Sequence, residues 1–292
     1  MLIDGKNAVY RAVFAGYYDK NFHQRGHDYF VILIRFISNY VHLFKPESVH
    51  IFWDPPRSKI WRKKIVGSYK DQRTEKYKEL DIDIHKELAR QIQISIKTFH
   101  WLNCRQYYKK EMEADDLIYS FCSVVDSPTV IISSDQDFRQ ITQKMEHVHI
   151  YNPLAKKQQV EPRPKEDVVV IKSLMGDKSD NLAGYYNVGP KRATTLSLDI
   201  NARNAFFKSD KAIALVDGEK KWVGDKIFKR NRRIIDLSWC PDIGPNCEYV
   251  EEKMVSDPRW DLKMIEKLIM KEKVRGLLAD LQRYTRLFEA IT

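Results

Sequence analysis

Long apolar runs are missing from this chain. None of its 292 residues falls in an uninterrupted apolar stretch of about 18, so no transmembrane helix is expected. The opening Met1-Leu2-Ile3-Asp4-Gly5 lacks the basic region, apolar core and small-residue cleavage site of a secretory signal. Cysteine is scarce. Cys104, Cys122, Cys240 and Cys247 lie too far apart for a CxxC zinc site, which leaves reduced thiols as the default. No GxGxxG, GxxxxGK(S/T) or GxSxG motif occurs, which excludes dinucleotide enzymes, nucleotide-driven motors and serine hydrolases from the expected classes. His23, His27, His147 and His149 share no ligand spacing with a cysteine and read as surface or strand residues. Internal repeats and low-complexity tracts are also absent.

What is present is a foldable, basic chain. A hydrophobic fraction of 43% and an aromatic fraction of 12% support a packed core, and the length suits one large or two smaller domains. Lysine and arginine number 50 against 40 acids, a net charge of +10. Such an excess fits a polyanionic partner, because each neutralised phosphate releases counterions, although many basic proteins bind nothing in particular.

Short apolar runs alternate with helical periodicity in the first half. Residues 29–44 carry Leu33, Phe36, Ile37, Tyr40, Val41 and Phe44 at three- and four-residue spacing, a helix with those side chains in the core. Residues 48–53 read as a strand stopped by Pro55-Pro56, 83–102 as a helix, 104–108 as a strand, 113–125 as a helix, and 129–133 and 147–151 as strands. This alternation predicts an α/β fold, a parallel sheet with helices on both faces. After about Pro164 the pattern turns mostly helical: 167–175, a second helix beginning near Pro190, and a packed surface helix over 261–290.

Three apolar runs end in aspartate, at Asp4, Asp54 and Asp135. Ligands of such sheets bind outside the carboxyl ends of the strands, so the three together suggest an acidic pocket on one sheet edge. Further acids are Glu113, Asp115 and Asp116 at a helix start, Asp137 two residues beyond Asp135, and Asp177 and Asp180 in a polar turn. Capping or an ordinary polar turn would explain each alone. Jointly they are harder to accommodate, since clustered carboxylates need cations to neutralise them. Hard oxygen ligands suit magnesium or manganese, and two such ions serve phosphodiester hydrolysis.

In order and spacing, Asp4-Gly5, Phe52-Trp53-Asp54, Glu113-Ala114-Asp115-Asp116, Ser134-Asp135-Gln136-Asp137-Phe138 and Gly176-Asp177-Lys178-Ser179-Asp180-Asn181 resemble the flap endonuclease / 5′-3′ exonuclease family. Within it, the small bacteriophage 5′ nucleases of flap endonuclease or ribonuclease H type are the nearest in pattern. Gln136 stands where the family usually has glycine. The resemblance implies a PIN-like nuclease domain over residues 1–165 and a helical DNA-binding region over 166–292. It implies two Mg2+ or Mn2+ ions held by Asp4, Asp54, Glu113, Asp115, Asp116, Asp135, Asp137, Asp177 and Asp180, with Asp54 and Asp135 central to catalysis. The expected setting is the cytoplasm of a bacterial or phage-infected host cell, during DNA replication or repair.

Residues 57–79 are dense in cations interleaved with Trp61, Tyr69 and Tyr77. Cations track phosphates and aromatics stack bases, but a solvated helix face would look the same. The resemblance makes this segment the arch that admits a single-stranded 5′ end, with Arg57, Arg62, Lys63, Lys64, Tyr69, Lys70, Arg73 and Lys76 against DNA. Lys70 and Arg73 match the family's lysine and arginine expected at the scissile phosphate. Residues 184–193 resemble a helix-hairpin-helix turn, in which backbone N–H groups near Gly189, with Lys191 and Arg192, face a duplex phosphate. Asn187 replaces the usual central glycine and also tolerates left-handed geometry. The family often holds potassium at this turn, so K+ is carried as a candidate. The expected activity is a monomeric, metal-dependent 5′-3′ exonuclease and flap endonuclease on DNA with a 5′ flap, nick or free 5′ end, extended by analogy to RNA paired with DNA. A non-catalytic DNA-binding module and a PIN-type endoribonuclease are the alternatives.

Overall fold

The computed structural model describes residues 1–71, 83–155, 162–216, 218–239, 258–277 and 280–291. Arg73, Lys76, Tyr77, Cys240 and Cys247 lie outside the described residues, as do the side chains of Arg57 and His23. Five short strands, β1 (Leu2–Asp4), β2 (His50–Trp53), β3 (Arg105–Tyr108), β4 (Thr129–Ile132) and β5 (Val148–Tyr151), form one sheet in the order β3-β2-β1-β4-β5. Every neighbouring pair is parallel. Strand side chains alternate between faces. Ile3, Ile51, Trp53 and Ile132 therefore enter one core, while Leu2, Phe52, Ile131 and Ile150 enter the other.

The first face is covered by α1 (Gly5–Tyr18), α3 (Tyr29–Phe44) and α5 (Ile84–His100); α2 (Lys20–Arg25) and α4 (Arg62–Ile65) are short connecting helices. The other face is covered by α6 (Ala114–Val124) and α7 (Arg139–Lys144). Helix α1 begins because the Asp4 carboxylate accepts from the Asn7 amide at 2.9 Å. It stays helical because Val9, Ala12, Val13 and Gly16 form one buried stripe. Gly5 lets it leave the strand at once: a Cβ there would stand 2.7 Å from the Trp53 ring.

At the opposite end of the strands His50 is buried between Ser48 and Tyr107. Its Nε2 lies 2.8 Å from Ser48 Oγ and its Nδ1 2.6 Å from the Tyr107 hydroxyl. Burial, with the Met1 amino group and Arg105 nearby, pushes its pKa down to about 3. The unfolded chain takes up that proton below about 6.5 and the folded chain does not. Stability from this group is thus complete above pH 6.5 and is lost as pH falls toward 3. Between pH 6 and 5 the wild type should lose up to about 1.4 kcal/mol more unfolding free energy than His50→Gln. Urea unfolding at each pH measures this, and parallel curves for the two proteins would contradict it.

A second unit follows. Helices α8 (Val168–Met175), α9 (Pro190–Leu198), α10 (Ile200–Lys208) and α11 (Lys226–Ile235) surround a separate core of Val170, Leu174, Tyr185, Leu196, Phe206 and Phe228. Two tiny strands, β6 (Gly176–Asp177) and β7 (Leu182–Ala183), bracket the acidic turn. The mostly helical expectation misses a hairpin, β8 (Ile213–Val216) with β9 (Glu219–Trp222).

The expected division at 165/166 also needs correcting. Residues 260–291 do not join the second unit: Ile265, Ile269, Val274, Leu277, Leu281, Phe288 and Ile291 complete the first core. The Arg259 amide donates to His100 O at 3.1 Å, and Ser38 Oγ donates to Tyr284 O at 2.5 Å. The single helix expected over 261–290 is two, α12 (Leu262–Lys271) and α13 (Leu281–Thr285). Left-handed backbone at Lys273 and Gly276, φ 54° and 82°, ends the first. No helix among the described residues is long and apolar enough to cross a membrane.

Candidate metal centre and nucleic-acid interface

The carboxyl ends of the strands carry the acids. Asp4 closes β1, Asp54 follows β2, and Asp135 lies three residues beyond β4. Because β1 is central and the order of strand addition reverses there, β2 and β3 to one side and β4 and β5 to the other, these ends open into a crevice at the topological switch point. Its cavity, of about 260 Å³, is lined by Asp4, Asp54, Glu113, Asp115 and Asp135, with Lys6 and Lys70. Residues far apart in sequence are therefore brought together as expected.

Backbone donors fix several of these carboxylates. The Ala114 amide, at the start of α6, donates to Asp54 at 2.8 Å. The Asp137 amide donates to Asp135 at 2.9 Å. Glu113 accepts from Lys70 Nζ at 2.6 Å and from Arg62 Nη1 at 2.8 Å. Burial opposes its ionisation, yet these two cations outweigh it and bring its pKa to about 2. For Asp4 the balance is reversed. Burial, then the Asp54 carboxylate, raise it to about 7 despite the Asn7 amide. Burial also drives Asp115 well above the usual carboxylate range, with Asp116 and Glu113 adding to it and Arg62 offsetting part. The cations already present thus leave part of the cluster unneutralised, and an all-oxygen donor set of this charge fits hard divalent ions.

A second group lies alongside. Asp137, Asp177 and Asp180 place one carboxylate oxygen each within 4.8 Å of one another. Lys172, from the last turn of α8, is hydrogen-bonded to Asp137 and lies 2.8 Å from Asp177. Burial opposes ionisation of Asp177, but Lys172 and Ser179 take its pKa down to about 2. Nothing in the sequence singles out Lys172, one lysine among many. Its ammonium sits where a cation would bind, so Lys172→Gln should tighten manganese at this group about tenfold, a coupling on the order of 1.4 kcal/mol. Calorimetric titration measures it; unchanged affinity would show that the ammonium does not compete. Lys6, 3.3 Å from Asp54, and Tyr10 also reach the first cavity. Their signal was available, because positions 6 and 10 lie four apart on one face of the helix that Asp4 caps.

Three expected roles do not match their surroundings. Asp116 is fully buried and faces away from the cavity: it accepts from Arg62 at 2.6 and 2.8 Å, from Trp61 Nε1 at 2.9 Å and from the Glu113 amide at 3.1 Å. Those donors saturate it as an internal counter-ion. Arg62, expected against DNA, is 1% exposed. Its guanidinium is consumed by Glu113, Asp116 and the Ile234 carbonyl, the last at 2.8 Å. Tyr69, also expected against DNA, is 2% exposed, and its hydroxyl donates to Asp180 at 3.0 Å.

Lys70 reaches the cavity from a left-handed backbone, φ 60°, and its amide donates to Asp180 O at 3.1 Å. Asn181 adds a bond to Ser68 O at 3.1 Å. The base of the basic segment is thereby fastened to the Asp180 turn. Lys63 pairs with Asp71, and Lys64, largely exposed, with Glu111 at 2.5 Å. In the 184–193 turn Asn187 is left-handed, φ 56°, and Gly189 caps α9 with Pro190 at its first position. Lys191 is exposed, and Arg192 lies over the Phe206 ring at 4.9 Å.

Residues 1–172 match the family model of the 5′-3′ exonuclease N-terminal resolvase-like domain. The chain is 27% identical over 295 residues to a 5′-3′ exonuclease of Mycoplasmopsis pulmonis, covering 92% of this chain and 94% of the relative. It is 29% identical over 216 residues to DNA polymerase I of Bacillus caldotenax, covering 67% of this chain and 23% of that longer protein. Among solved structures, phage T5 5′-exonuclease with bound divalent zinc superposes with a TM-score of 0.60 at 16% identity, over 94% of this chain and 98% of that one. The phage T5 flap endonuclease crystallised with DNA and metal ions gives 0.59 at 17% identity over the same shares. With the acids gathered at the switch point of a parallel sheet and more than half of the sequence matching the family model, the chain belongs to the 5′-3′ exonuclease family of metal-dependent nucleases.

Proposed function

We propose that this protein is a structure-specific 5′ nuclease that hydrolyses DNA phosphodiesters at a 5′ flap, nick or free 5′ end. The observation that carries the reading is the convergence of Asp4, Asp54, Glu113, Asp115 and Asp135 in one cavity beside the Asp137, Asp177 and Asp180 group. The first group would hold one magnesium or manganese ion and the second group another. Two such ions, when bound, supply an activated water nucleophile and neutralise charge on the leaving oxygen. Asp54 and Asp135, anchored by backbone amides, would set ligand geometry without rearrangement. Lys70, 2.6 Å from Glu113, is placed to exchange that partner for a substrate phosphate and to offset charge there. Arg73, three residues on, is proposed for the same phosphate.

Duplex DNA would lie on the 184–193 turn, with Gly189, Lys191 and Arg192 at a phosphate and potassium as the turn's cation. The single-stranded 5′ end would pass the 57–79 segment, where Arg57, Lys63, Lys64 and Lys76 remain as contacts. Named relatives support the reading: several are 5′-3′ exonucleases, and one of the same fold was crystallised with DNA and metal ions. RNA paired to DNA is carried as a second substrate, and the acting species as a monomer.

The deciding experiment compares labelled flap, nicked, RNA–DNA and single-stranded substrates in magnesium and in EDTA. Cleavage of the flap in magnesium and none in EDTA is expected; equal cleavage in both, or of single strands alone, would reject the reading. Manganese at about 100 times its dissociation constant should also stabilise the fold by about 2.7 kcal/mol. Differential scanning calorimetry reads this, and an unchanged melting temperature would argue against a preformed metal site.

A further inference from the structure

The β8–β9 hairpin has an outer strand, Glu219–Trp222, that is exposed along its whole length. Its register pairs Ile213 with Trp222 and Leu215 with Lys220. Partners across a ladder share a face and residues two apart along a strand do too. Leu215, Lys220 and Trp222 therefore project from one face, while Lys221, opposite buried Ala214, projects from the other. Large apolar side chains on that first face are costly in water: Trp222 is 59% exposed and Leu215 52% exposed.

The face is held in place. Trp222 Nε1 donates to Ser209 O at 2.8 Å, and the Trp222 ring lies against Gly224. The hairpin is also bolted to the 184–193 turn: the Tyr186 amide donates to Ile213 O at 2.7 Å, and Tyr185 bridges to Ala214. Tyr186, itself 40% exposed, receives the Lys220 ammonium 3.9 Å from its ring centroid. The charge of the chain concentrates around this hairpin. Residues 186–233 contain twelve lysines and arginines against five acids, so most of the overall +10 falls in this stretch.

We infer that Tyr186, Leu215, Lys220 and Trp222 form a second duplex-contacting surface, continuous with the 184–193 turn, that receives the sugar–phosphate backbone next to the phosphate held there. Lys220 neutralises one phosphate, and the aromatic and leucine side chains pack on deoxyribose and base edges. A cation paired with exposed rings suits this partner, because a nucleic acid presents anionic and apolar surface in alternation. The inference rests on the reading of the 184–193 turn as a duplex site.

The test measures binding of a blunt duplex and of a single strand, in EDTA, across a salt series, for the wild type, Lys220→Gln, Trp222→Ala and Lys221→Gln. Lys220→Gln should lower the slope of log affinity against log salt by about 0.9, one phosphate's worth. Trp222→Ala should weaken duplex binding about tenfold. Lys221→Gln, on the opposite face and paired with Glu219 at 3.0 Å, should change the slope by much less. Thermal melting should be unchanged for the two lysine variants, whose side chains are exposed, and Trp222→Ala, which loses its bond to Ser209 O, should melt somewhat lower while still unfolding cooperatively. If the wild type binds duplex but Lys220→Gln and Trp222→Ala match it, or if Lys221→Gln has the larger effect, the surface is overturned. Loss of self-association in place of lost duplex affinity would overturn it in favour of a second copy as occupant. If the wild type itself has no duplex affinity, the failure lies with the reading of the turn.

Discussion

Replacing Asp135 with asparagine is expected to lower cleavage of a flap in magnesium by at least about a thousandfold, a loss on the order of 4 kcal/mol of transition-state stabilisation. The substitution is selective for charge. Asparagine keeps the volume and the side-chain oxygen that accepts from the Asp137 amide at 2.9 Å, so the turn after β4 should persist. Asp135 is exposed at the mouth of the cavity and makes no ion pair among the described residues. Folding therefore does not depend on its charge, and melting should shift little. Duplex affinity in EDTA should hold or improve, because one negative charge near the phosphate track is gone. Cleavage of a flap by Asp135→Asn at the wild-type rate in magnesium would remove Asp135 from the metal-holding set. The same substitution at Asp116 offers a contrast: its carboxylate is satisfied by internal donors, so damage there should appear in stability before turnover.

Arg62→Ala should be the most destabilising of the substitutions considered. The arginine is 1% exposed, stacks on Trp61 at 4.7 Å, and ties three parts of the chain together. Its bonds run to Asp116 and Glu113 at the start of α6 and to the Ile234 carbonyl at the end of α11. Burial disfavours the charged guanidinium, but Asp116, Asp115 and Glu113 more than restore it, so it stays charged at any working pH. Truncation leaves Asp116 and Glu113 short of their counter-ion in a dry setting, which costs about 3–5 kcal/mol. The melting temperature should fall on the order of 10 °C. Arg62→Lys, which keeps charge but not the fork, should fall between. Arg62→Met combined with Asp116→Leu should recover part of the loss, because no uncompensated buried charge remains at that pair. If Arg62→Ala instead melts like the wild type and loses affinity for DNA, Arg62 is a nucleic-acid contact, as its place in the basic segment had suggested.

The contrast between Arg62 and Lys70 shows where sequence reasoning stops. Both are cations in one basic segment, and nothing in composition separates them. Burial separates them: Arg62 closes a charge network between two units, whereas Lys70 enters the acidic cavity through a left-handed residue. Other omissions had a readable signal. The stripe Val9, Ala12, Val13, Gly16 marks α1, and Asp217-Gly218 between two four-residue runs is a hairpin signature. Residues 261–290 carry a mixed apolar and charged pattern, which states that a helix face is buried but not against which core.

By itself, the sequence determined the parallel α/β class, the basic balance, and the set of acids at strand and helix ends. These are local properties, fixed by periodicity, by turn chemistry and by residue type. Only the tertiary structure decided which acids share a cavity, that Lys172 lies among Asp137 and Asp177, that Asp116 and Arg62 neutralise each other, and that the C-terminal helices complete the first core. The physical reason is that desolvation and pairing depend on which distant residues meet. Burial and pairing together make identical carboxylates differ, leaving Asp135 exposed in the cavity and Asp116 an internal counter-ion of Arg62.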